Sequence, residues 1–174
     1  MTVQERIHWS TIALVLSGLF EILVSFQTLT GWTLIVAAVA CWVLLVFGLS
    51  GLHARQAIKT GWFGYVSLGI VLIGTLFSLI AVISGNNLFS NGLLLSPTAK
   101  AIAYLLSETS IVTQTGYFLY GLASFRAGIY PQVVSVLLMI MVLLMIVAGN
   151  FGQGLGMIAL GVILMRSKPA GEAL

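Results

Sequence analysis

The chain is a succession of apolar runs, each close to 20 residues long and separated by short polar breaks. An α-helix of that length crosses a membrane, because each residue rises ~1.5 Å and the hydrocarbon layer is ~30 Å thick. The runs predict spans over residues 9–29, 32–52, 62–84, 100–124, 132–149 and 150–165. Thr30 and Gly31 make the tight turn after the first, and a polar loop over 53–61 follows the second. Residues 85–99, rich in Asn, Ser and Gly and holding Pro97, form the longest stretch outside the spans. The turn around Arg126, Gly128 and Pro131 ends the fourth span. The sixth is short and glycine-rich, so residues 132–165 read either as two crossings or as a re-entrant hairpin. The expected fold is an all-α integral membrane bundle of about six transmembrane helices, in a single domain covering residues 1–174.

Composition points the same way. Hydrophobic residues make up 60% of the chain and charged residues 6%, with mean hydropathy +1.14, whereas a soluble domain carries about 25% charged residues. The lipid bilayer is therefore the expected partner. The seven basic residues form no patch or stripe, which argues against nucleic acid despite the net charge of +3. They sort by side of the membrane instead. With the N-terminus in the cytoplasm, Arg6, Arg55, Lys59, Arg126, Arg166 and Lys168 all fall inside and only Lys100 outside. Both termini are thus expected in the cytoplasm, and a re-entrant hairpin at 132–165 leaves that count unchanged. Trp9, Trp32 and Trp62 stand at predicted helix starts, where an amphipathic ring suits the headgroup layer. Residues 9–26 lack a small-residue cleavage site behind them and Glu21 interrupts their apolar core, so they read as a retained first helix rather than a removed signal. Cys41, the one cysteine, has no partner for an intrachain disulfide and reads as a small buried hydrophobe.

Gly48-Leu-Ser-Gly-Leu-His-Ala-Arg55, Gly121-Leu-Ala-Ser-Phe-Arg126 and Gly161-Val-Ile-Leu-Met-Arg166 each end a helix that runs toward the cytoplasm. They read either as relics of a repeated helical hairpin or, the favoured reading, as ends that each need glycine packing and a basic anchor. Residues 51–61, Gly-Leu-His-Ala-Arg-Gln-Ala-Ile-Lys-Thr-Gly, with Gly64, Gly69 and Gly74 after them, resemble a pattern in small uncharacterised membrane proteins of bacteria. So does Tyr120-Gly-Leu-Ala-Ser-Phe-Arg-Ala-Gly-Ile-Tyr-Pro131. The resemblance covers about half the chain. It implies a multi-pass bacterial inner-membrane protein and offers neither an activity nor a functional residue.

Chemistry has to come from the few polar groups inside the spans. Glu5 and Glu172 lie in the solvated ends, but Glu21 and Glu108 fall within predicted spans. A charged group at mid-membrane costs at least ~2.5–3.5 kcal/mol, so an intramembrane carboxylate marks a functional site by default. At 100° per residue Ser10, Leu14, Ser17, Glu21, Ser25 and Thr28 share one stripe of the first helix, with Gly18 beside it. A packing face explains the serines but not the glutamate, which should face protein or a wet cavity. The segment Ser107-Glu108-Thr109-Ser110-Ile111-Val112-Thr113-Gln114-Thr115 is too polar all round for a lipid-facing helix, and this marks the fourth helix as central. Alternatively residues 93–109 form an external amphipathic segment, with Glu108 at the interface. Glu21 lies ~18 Å along its helix from Trp9 and Glu108 ~12 Å from the outer edge, so both fall in the outer half of the membrane. If they meet, they share a proton or hold a cation between them.

The expected ligand-binding residues are Glu21, Glu108, Ser17, Ser25 and Gln114, with no metal site and no cofactor. His8 and His53 read as histidines of the cytoplasmic interface. Gly152, Gly154 and Gly156 read as helix-packing positions, since no strand precedes them and no basic residue follows directly. Met139, Met141 and Met145 read as core or lipid-facing filler. With aspartate absent and no nucleophile–base pair in view, an enzyme is not expected. Two functions remain: a small solute-binding or transport-type protein, or a non-catalytic subunit packed against other membrane subunits or further copies of itself.

Overall fold

The computed structural model describes residues 3–26, 29–85 and 110–166. The described chain is helical, with α1 (Val3–Ser25), α2 (Gly31–Gly85), α3 (Ser110–Ala127) and α4 (Gln132–Arg166), and no strand occurs among the described residues. By length and apolar composition α1, α2 and α4 are able to cross a membrane. α3 is not among them; Thr113, Gln114 and Thr115 occupy its first turns.

Two of these helices fold back on themselves. α2 loses helical dihedrals at Gly61 (φ 56°, ψ −153°), and the rings of His53 and Tyr65 on either side lie 4.4 Å apart. A straight helix would separate those residues by ~18 Å. α4 breaks in the same way at Gly149 (φ 54°, ψ −138°), which brings Gly156 against Met141. Residues 32–52 and 62–84 fall in the two arms of α2, and 132–149 and 150–165 in the two arms of α4. Only glycine takes such a φ without strain. A methyl at either position meets nothing within 4 Å, so its cost is purely that of the backbone. Gly61→Ala or Gly149→Ala is expected to lose about 1–3 kcal/mol, read as a lower Tm in detergent. An unchanged Tm at both would show that these reversals do not depend on glycine.

Element boundaries depart from the sequence reading in three places. Residues 53–60, expected as a loop, continue the first arm of α2, because Ala54, Arg55, Gln56, Ala57 and Lys59 favour helix and no breaker intervenes before Gly61. α1 ends at Ser25, with the Phe26 amide still donating to the Ile22 carbonyl at 3.3 Å, rather than running to 29. α3 continues to Ala127, past 124. The expected start of the fourth span at Lys100, and the whole stretch 86–109, lie outside the described residues.

Neighbouring arms run antiparallel, and glycines set several of the crossings. Gly18 of α1 meets Gly154 of α4, and Gly161 meets Val15 and the Thr11 carbonyl. Gly48 of α2 receives Leu14. Gly74 and Gly116 bring α2 and α3 together against Thr113 and Val71, and Gly121 seats Met139 of α4. Gly154 and Gly156 thus pack closely against neighbouring helices. The arms form a ring around a core that includes Leu14, Leu49, Tyr117, Tyr120, Leu138, Met141, Met157 and Leu160. Polar bonds tie the ring where the arms of α2 reverse. The Gln56 amide donates to Ser124 Oγ at 2.9 Å, and the Tyr130 hydroxyl donates to the Leu52 carbonyl at 2.7 Å. The outward surface is apolar, with Val36, Val43, Phe47, Ile73, Ile140 and Val147 exposed.

The antiparallel arrangement gathers Arg55, Lys59, Arg126 and Arg166 at one end, together with the first turn of α1, which contains Arg6. His8 is exposed beside Trp9. His53 differs from its expected interface position: it is buried between the rings of Tyr65 and Tyr120. The helix carries through this residue, so its side chain turns inward instead of leaving with a loop.

Candidate functional site

The polar stripe of α1 faces the interior. Ser10, Leu14 and Ser17 are buried on it, and Glu21 follows one turn after Ser17. Residues four apart on a helix share a face, so Ser17 and Glu21 both meet Cys41 on the first arm of α2. Ser17 Oγ donates to the Cys41 carbonyl at 3.1 Å. The Cys41 thiol donates to Glu21 Oε2 at 2.8 Å. Cys41, expected as an inert hydrophobe, is buried but sits against the acid.

Glu21 opens onto a cavity of ≈ 230 Å³. Its polar lining is Glu21, Cys41, Trp42, Thr75, Ser78, Asn150 and Gln153, and most of the remainder is aliphatic, including Val24, Leu45, Leu79 and Val82. Among the described lining residues Glu21 is the one acidic residue, and none is lysine or arginine. Asn150 follows the Gly149 reversal and Val82 lies near the end of α2. The cavity therefore occupies the half of the bundle remote from the basic end. A water molecule takes up about 30 Å³ of liquid, so the space suits a small organic molecule.

The hydrogen bonds around the cavity are specific in direction. Thr75 Oγ1 donates to the Leu72 carbonyl at 3.0 Å and Ser78 Oγ to the Gly74 carbonyl at 3.2 Å. Each hydroxyl has therefore spent its hydrogen on its own helix and offers lone pairs to anything beside it. Gln153 Nε2 donates to the hydroxyl of the fully buried Tyr117 at 3.3 Å. No group of three or more His, Cys, Asp or Glu able to hold a metal ion occurs among the described residues.

Of the residues expected at a site, Glu21 alone lines this cavity among those described. Ser17 is buried beneath it as a brace for Cys41. Ser25 is half-buried and bonds back to the Ile22 carbonyl at 2.7 Å. Gln114 is half-buried on α3, away from the lining. Glu108 and Thr28 fall outside the described residues, and so does any meeting of Glu108 with Glu21. The sequence reading missed Trp42, Thr75, Ser78, Asn150 and Gln153. One of these carried a usable signal: Gln153 is an amide set in an otherwise apolar run and is buried, whereas Asn150 lines the cavity but is exposed.

No family model, no curated protein and no solved structure matches the chain.

Proposed function

We propose that this chain is a small membrane protein of transport or solute-binding type, with Glu21 as the binding group of an intramembrane carboxylate site. The observation that carries the reading is the cavity at Glu21: a carboxylate against a space of ≈ 230 Å³ in the half of the bundle away from the basic residues. A purely structural helix has no need of an acid there, because an ionisable group inside a membrane is costly. In this reading each arm of α2 and α4 crosses once, as do α1 and the helix containing α3, which makes six crossings. The basic end lies in the cytoplasm with both termini, and the cavity belongs to the outer half. The resemblance to small bacterial membrane proteins supports an inner-membrane location.

The test uses the full chain purified in mild detergent. Wild type and Glu21→Gln are heated with millimolar amines, carboxylic acids, sugars and nucleosides in turn. At least one class is expected to raise the wild-type Tm and to leave the variant unmoved. A ligand at a hundred times its Kd adds about 2.7 kcal/mol, a shift large enough to read. A chain that responds to none of them and co-purifies with a larger membrane complex is an accessory subunit instead.

A further inference from the structure

We infer that the solute held at Glu21 is a protonated primary or secondary amine with an apolar tail. The inference rests on the reading of the cavity as a solute site and adds the class of solute. Three features of the lining select that class together. The first is charge: Glu21 has no lysine or arginine beside it among the described lining residues, so a cation entering the cavity meets an uncompensated acid. The second is polarity of a finer kind. Thr75 and Ser78 have given their hydrogens to Leu72 and Gly74. Like the carboxylate, these two hydroxyls accept and do not donate toward the space, so a guest with N–H or O–H groups satisfies them; the lining also holds one unpartnered donor, Trp42 Nε1–H. A quaternary ammonium carries the charge but has no N–H. The third is the aliphatic remainder of the lining, with the Trp42 ring beside it, which favours an alkyl or aryl tail over a hydrated metal ion.

The same geometry states what changes on binding. Glu21 already receives one hydrogen bond, from the Cys41 thiol. An ammonium replaces this weak donor with a charge-assisted one, and the guest then lies over the sulfur. Cys41 is the sole cysteine of the chain, so thiol chemistry on the unmodified protein reports on this cavity alone.

The experiment follows alkylation of Cys41 by N-ethylmaleimide, using mass spectrometry on the full-length protein in detergent. Three probes of matched length compete: hexylammonium, hexanol and hexanoate. Hexylammonium is expected to protect at a concentration about tenfold or more below hexanol, the ratio that one charge-assisted hydrogen bond provides. Hexanoate is expected not to protect, and hexyltrimethylammonium to protect less well than hexylammonium. In Glu21→Gln the advantage of hexylammonium over hexanol should vanish. The comparison of probes in wild type stands even if that variant does not fold. The same order of probes read in Tm covers a thiol too shielded to alkylate. Equal protection by hexylammonium and hexanol in wild type overturns the amine assignment and leaves a neutral solute site. No protection and no Tm gain from any of the four removes the solute reading itself.

Discussion

Alanine at Gly18 is expected to cost the folded protein about 3 kcal/mol, the upper end of what overpacking usually costs. The added methyl would stand 2.5 Å from the Gly154 carbonyl oxygen and 2.9 Å from Ile158 Cγ1. One of these obstacles is backbone, which cannot move aside as a side chain does. The contact is reciprocal, since a methyl at Gly154 would lie 2.7 Å from the Gly18 carbonyl oxygen. α1 and α4 touch there backbone to backbone, and separating them would loosen the neighbouring contacts of Val15 and Ile22 with α4. Gly69 is the control. A methyl there meets nothing within 4 Å, so Gly69→Ala is expected to be neutral or to stabilise by about 0.5–1 kcal/mol through helix propensity. Thermal denaturation in one detergent compares the pair. If Gly18→Ala and Gly69→Ala melt together, the α1–α4 crossing is not as close as described.

Glu21→Leu is expected to raise stability while abolishing the binding of cations. Replacing an ionisable group in an apolar interior by a hydrophobe of similar size commonly stabilises, by about 1–4 kcal/mol when a buried ion pair is removed. Here the gain should lie at the low end, because the acid accepts one hydrogen bond from Cys41 and faces a cavity. The sign is what matters. A residue kept for the fold weakens the protein when removed; a residue kept for a ligand often strengthens it. Tm and hexylammonium protection of Cys41, measured on the same preparation, read both quantities. A large fall in Tm would make Glu21 a structural hydrogen-bonding group and take away the argument for a solute.

The helical character of the described residues was legible because most of the apolar runs are of about membrane length, too long for strands despite their Val, Ile and Phe content. The inward stripe of α1 was legible for a similar reason: one helix turn relates Ser10, Leu14, Ser17 and Glu21 whatever lies opposite. What lay opposite was not legible. Cys41 reaches Glu21 only because α1 and α2 pack in one particular register, and a register is a property of two helices. Thr75 and Ser78 are ordinary hydroxyls in an apolar run, and only the fold back at Gly61 brings them round to the acid. Gly61 itself reads in the sequence as the end of a loop. The helix-forming residues before it showed that the loop had no length, a point that the polarity of Arg55, Gln56 and Lys59 obscured. Gln114 stands out in the sequence because its segment is polar, but polarity alone does not set which way a side chain points once the helix is seated.

The two glycine reversals stand at opposite ends of the bundle. α2 is joined at the basic end, far from the cavity, so no turn of its own links its arms where Trp42 and Thr75 line the space. α4 is joined at Gly149, immediately beside Asn150 and the cavity, and its arms are pinned there. Of the cavity's wall, α4 thus supplies a part whose two arms are covalently tied beside the space, and α2 a part whose arms are held there by packing against α1 and α3.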